Sequence, residues 1–102
     1  MKPFLTVYGH VTVDSIMTVE DFPKLNTTVD ITSKKTFLGG TGTNIAVTAA
    51  KLGVPTALCA LVGRDLPAEY RKFIGESGVM MDEFITVDGW ETSTAIVVND
   101  SN

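Results

Sequence analysis

Cysteine is nearly missing from this sequence: Cys59, inside Ala57-Leu58-Cys59-Ala60-Leu61-Val62, is the only one. A lone thiol closes no internal disulfide and builds no thiolate metal cluster, and its apolar neighbours mark it as packing. Long hydrophobic runs are missing too. No stretch approaches the ~20 apolar residues that cross a bilayer, and residues 1–14 have neither the apolar region nor the cleavage site of a secretory signal. The cytoplasm is the expected compartment, with no membrane partner. Positive charge is scarce. Eight Lys and Arg against twelve Asp and Glu give 8 − 12 = −4, and basic neighbours occur only at Lys34-Lys35 and Arg71-Lys72. No basic face can form from these, so no nucleic-acid partner is expected. One His and scattered carboxylates give no metal-ligand spacing.

What is present is ordinary globular material, 44% hydrophobic and 20% charged, which argues against disorder. Phe4 to Gly9 reads as a buried strand. Thr27 to Leu38 alternates apolar and polar in its first half, as a strand with one wet face does, and residues 16–37 suit a hairpin through the turn-like Asp21 to Thr28. Residues 43–53 read as a helix with Ile45, Ala49 and Leu52 on one face, Thr43 as N-cap and Gly53 at its end. Pro55 to Gly63 reads as a second buried strand. Leu66 to Gly78 reads as a second helix, with Tyr70, Phe73 and Ile74 on one face, and Asp65 as the residue that caps it. Two more strands follow, joined by a turn at Asp88-Gly89. Buried strands alternating with helices define an α/β unit with a parallel sheet.

The segment Phe37-Leu38-Gly39-Gly40-Thr41-Gly42-Thr43-Asn44 runs from glycines into a helix, the usual form of a phosphate cradle. The spacing excludes the two common kinds. A Walker loop needs Gly-Lys-Ser/Thr, which occurs nowhere in the chain, and the dinucleotide fingerprint needs glycine where Ile45 stands. Unpaired helix N–H groups, close backbone approach at glycine and the donor-acceptor side chain of Asn44 suit a neutral polyhydroxyl ligand equally well.

On these residues the chain resembles the PfkB/ribokinase family of carbohydrate and nucleoside kinases. Gly39, Gly40, Gly42, Asn44, Ala46, Gly53 and Gly63 are similar in spacing to that family's first signature. Gly9 with Asp14 resembles its first strand, Val62 to Asp65 and Ser77 to Val79 sit where it has similar segments, and Glu91 to Asp100 resembles its returning lid strand. The wording is closer to archaeal nucleoside or sugar kinases than to ribokinases proper, which commonly carry Lys where Thr41 stands.

The resemblance implies a ribokinase-like fold, a Rossmann-like three-layer α/β/α domain with a small β-sheet lid formed near residues 16–37 and 93–98. It implies an ATP- and Mg²⁺-dependent kinase acting on a hydroxyl of a sugar or nucleoside. Substrate hydroxyls would be held by Asp14, Gly39, Gly40 and Asn44, with Gly39 and Gly40 also a hinge. Phe37 and Ile96 would be lid contacts, and a homodimer would form through the lid. An ionised carboxylate at Asp14 suits a vicinal diol, because it accepts two charge-assisted hydrogen bonds. The family's second signature, an Asp-Thr-x-Gly-Ala-Gly-Asp type stretch with the catalytic base and anion hole, is absent from these 102 residues. Residues 1–102 therefore read as the N-terminal part of one such kinase domain, with no catalytic residue and no metal site of their own, and inactive alone. The alternative is a non-catalytic binding or dimerisation module of the same fold. A dinucleotide-binding domain is the weaker third reading.

Overall fold

The computed structural model describes residues 2–101. Among them the chain forms β1 (Leu5–Tyr8), β2 (Thr12–Val19), β3 (Ile31–Gly39), α1 (Thr41–Lys51), β4 (Thr56–Val62), α2 (Ala68–Glu76), β5 (Phe84–Thr86) and β6 (Thr94–Asp100). The strands divide between two three-stranded sheets. The core sheet, ordered β1-β4-β5, is parallel throughout. The outer sheet, ordered β3-β2-β6, pairs β2 antiparallel with β3 and parallel with β6. The expected hairpin over 16–37 is thus present. The turn at Asp88-Gly89 carries the chain from one sheet to the other, so β5 and β6 never pair.

Side chains on one face of β4, Thr56, Leu58, Ala60 and Val62, are all buried under the two helices, together with Val7, Ala46, Ile74 and Phe84. The opposite face is bare. Tyr8 and Leu61 are exposed there, Ile85 lies opposite Leu61, and Cys59 is half-buried rather than packed in the core. β1 and β4 are therefore buried on one side only, short of the two-sided burial read from their sequences. Parallel sheets are ordinarily covered on both faces, so this face has the character of an interior surface.

Helix α1 starts two residues earlier than its apolar pattern suggests. Gly40, at φ 100°, is its N-cap, and no side chain caps it, so Thr43 is an interior residue of the first turn. The buried stripe is Gly42, Thr43, Ala46 and Val47, while Ile45 and Leu52 face outward. The end is as read: Gly53, at φ 89°, follows the cap Leu52, with Gly53 N–H donating to Ala50 O and Val54 N–H to Ala49 O. This is the paired bonding of a Schellman turn, which glycine enters without a Cβ penalty. Helix α2 runs from the N-cap Pro67, buries Ile74 fully, and leaves Phe73 half-exposed beneath the Lys51 ammonium, 4.8 Å from the ring centre.

Candidate functional site

Asp14 lies on β2, half-buried, opposite Phe37 on β3 and Ala95 on β6. Two residues back along the same strand face, Thr12 donates its hydroxyl to Asp14 Oδ1 at 2.5 Å. Thr12 is itself opposite Gly39. A Cβ built on Gly39 would run into Asp14 Oδ2 and Cγ. The antiparallel register therefore brings together two residues far apart in sequence, and the missing side chain of Gly39 is the space the carboxylate occupies. One of about four acceptor positions of the carboxylate is used by Thr12, and no other hydrogen bond reaches it from the described residues.

Gly39 ends β3 and Gly40 begins the turn into α1, so the two glycines form one crossing between the outer sheet and the core. Gly40 is required twice over: its φ is positive, and a Cβ there would strike His10 O. Gly42 packs against the β1 exit, where its Cβ would lie 2.7 Å from Gly9 C. Thr43 N–H donates to His10 O at 3.2 Å and Asn44 N–H to Gly40 O at 3.0 Å. These contacts seat the start of α1 on the end of β1. Thr43 is buried, and its Oγ1 finds no hydrogen-bond partner among the described residues.

Asn44, exposed in the first turn of α1, borders a cleft of about 510 Å³ between β3, α1 and α2. Phe37, Val47, Tyr70 and Phe73 make its apolar wall, and Glu69 adds a carboxylate. Phe37 thus shares the sheet face of Asp14 and reaches the cleft. Ile96 does not share that face. It is opposite Ser15, one residue out of phase with the Asp14–Ala95 pair, so its side chain leaves the other side of the sheet, 65% exposed. Ala95 and Val97 occupy the near face instead. Period-two alternation could have assigned this parity only with the β2–β6 register in hand.

Asp65 caps no helix. Its Oδ1 accepts from Thr92 N–H at 2.9 Å and from Thr92 Oγ1 at 2.7 Å, and Thr92 Oγ1 in turn accepts from Gly63 N–H at 2.9 Å. Thr92 is buried, and nothing local in the sequence marks it. The Thr92 amide first, and then its hydroxyl, hold the Asp65 carboxyl below the ordinary carboxylate range. A depressed folded pKa gives stability that is complete above the ordinary aspartate pKa and is lost as the pH falls through the folded value. Asp65→Asn is therefore expected to lower the denaturant midpoint at neutral pH, with the gap to the parent protein closing on acidification. A gap of constant size across that range would locate the effect elsewhere.

A parallel sheet with helices over one face, joined at a glycine crossing to a second three-stranded sheet that carries a carboxylate, is the ribokinase-like arrangement. The chain belongs to the pfkB family of carbohydrate kinases, which it matches over residues 2–102. It is 34% identical over 99 residues to a nucleoside kinase of Methanothermobacter thermautotrophicus, across 96% of this chain and 32% of that protein. The crystal structure of the Methanocaldococcus jannaschii nucleoside kinase, an archaeal member of the ribokinase family, superposes with a TM-score of 0.85 at 31% identity, over 95% of this chain and 33% of that one. Arabidopsis thaliana ribokinase, solved with ribose and ATP, gives 0.83 at 31% identity over 100% and 34%. The chain spans about a third of the length of these relatives.

Proposed function

We propose that this chain is the acceptor-binding, N-terminal part of a kinase that transfers the γ-phosphate of ATP to a hydroxyl of a sugar or nucleoside. The carrying observation is the Asp14 carboxylate seated in the gap left by Gly39, half-buried, oriented by Thr12 and with acceptor positions to spare. A carboxylate held in this way grips a vicinal diol through two charge-assisted hydrogen bonds. Asn44 at the start of α1 supplies a further donor and acceptor, and Gly39-Gly40 is the hinge on which the outer sheet closes as a lid. Ala95 and Val97, with Phe37, line that lid from the Asp14 side. Closure excludes water, so that transfer to the acceptor outruns hydrolysis.

The bare face of the core sheet supports the reading of an incomplete domain, since later helices would cover Tyr8, Leu61 and Ile85. Among the described residues no three His, Cys, Asp or Glu side chains gather to hold a metal ion. The glycine segment carries no lysine for a terminal phosphate. The described residues thus offer neither a gathered set of metal ligands nor a phosphate loop of the Walker kind. On this reading both sites, and the catalytic base, belong to the remaining part of a cytoplasmic enzyme. The outward lid face, with Met17, Ile96 and Val98, is the surface through which two subunits would pair.

The test is a panel of nucleosides, pentoses and hexoses offered to the full-length protein with ATP and Mg²⁺. ADP formation dependent on one of these classes is the expected result. Ligand binding without phosphate transfer would favour a non-catalytic module.

A further inference from the structure

We propose that Asp65, remote in sequence from the acceptor group, is a positioning residue for Asp14, acting through Thr92 and strand β6. The proposal rests on the kinase reading above. Three hydrogen bonds run in one direction and end on a charge: Gly63 N–H donates to Thr92 Oγ1, while the Thr92 hydroxyl and amide both donate to Asp65 Oδ1. The Gly63 amide fixes the hydroxyl rotor, because it occupies a lone pair of Oγ1 and turns the O–H toward the carboxylate. The connection from β5 is pressed onto the same place, for a Cβ on Gly63 would collide with Trp90 O. Thr92, 3% exposed, is thereby pinned to the end of β4.

The next residue passes this placement to the site. Ser93 O accepts from Val13 N–H at 3.0 Å, and from there Val13 pairs with Thr94 and Asp14 with Ala95. Among the described residues β6 is an edge strand of the outer sheet, held along one side by β2. Its height against β2 is set at its start by the Asp65–Thr92 clasp, and at its far end by Ser101 N–H donating to Val19 O. A slip of one residue would replace Ala95 beside Asp14 by a side chain of the other face. The clasp therefore fixes which small residue flanks the carboxylate, and with it the room left for a diol.

The experiment uses the full-length protein. In Asp65→Ala the acceptor KM is expected to rise about tenfold, with kcat and the ATP KM within about twofold of the parent, since a charge-assisted pair of bonds is lost without touching the reacting atoms. Exchange of the Val13 amide should quicken by about the same factor while the Leu58 amide is unchanged. Thr92→Val should reproduce both effects, and Thr92→Ser, which keeps the hydroxyl, should restore them. If Asp65→Ala does not fold, the Thr92 pair makes the same comparison. Equal losses in kcat and in the use of both substrates, unaltered Val13 exchange, or a Thr92→Val protein with the parent acceptor KM would each overturn the proposal. A parent protein that phosphorylates no sugar or nucleoside overturns the kinase reading instead. The Val13 exchange, which needs no substrate, still decides whether the clasp holds β6 on β2.

Discussion

Alanine in place of Asp14 is expected to lower kcat/KM for the acceptor by on the order of a hundredfold or more in the full-length protein, with the KM for ATP nearly unchanged. Two hydrogen bonds from a bound diol to an ionised carboxylate would be lost together, each of the stronger, charge-assisted kind. Little else should change. Asp14 is only half-buried, its protein partner is the hydroxyl of its neighbour Thr12, and Thr12 can turn to solvent when the carboxylate is gone. Steady-state kinetics with each substrate varied in turn reads the split. Acceptor kinetics that match the parent would remove Asp14 from the site, and with it the main support for the acceptor reading.

Gly39→Ala should have the second largest effect, through the same group. The new methyl meets Asp14 Oδ2 and Cγ, whereas the backbone at Gly39 lies in a strand and tolerates alanine. Overpacking of this kind costs ~1–3 kcal/mol, and the cheapest relief is rotation of the Asp14 side chain away from its seat. Acceptor kcat/KM should therefore fall by on the order of tenfold or more. A double-mutant cycle sharpens the expectation. In an Asp14→Ala background the same methyl enters vacated space, so the two losses should be far from additive. Additive losses would mean that Gly39 acts by another route, such as bending of the crossing into α1.

The sequence carried the glycine run into a helix, the end of α1 at Gly53 and a hairpin over residues 16–37, because each depends on residues close together in the chain, whereas the seating of Asp14 against Gly39 came only with the strand register. Glycine spacing and period-two alternation are local signals. What it did not carry depends on pairing between distant segments. The parallel register of β6 on β2 fixes whether Ala95 or Ile96 shares a face with Asp14, and nothing within either strand announces it. Asp65 before a helix looks like a cap, and only the return of the chain at Thr92 gives its carboxylate other partners. The apolar stripe Ile45-Ala49-Leu52 misled for a different reason. Ile45 and Leu52 are exposed, so the apolar residues of α1 are divided between a face buried on the core sheet and a face left open.

The outer sheet is tied to the core at three places: from β1 into β2 near His10, from β3 into α1 at Gly39-Gly40, and from β5 into β6 at Thr92. The first two touch each other, since the Gly40 backbone abuts His10 O and Thr12 N. A flap hung from one flexible link could wander in any direction. A flap hung from several anchors turns about the line through them, as a door turns on its pins, and has one way to swing. On the lid reading proposed above, the glycines at one anchor would allow the turning, and the Thr92 clasp at another would resist sideways play. Each swing of such a lid would then return the Asp14 carboxylate along one arc to one place.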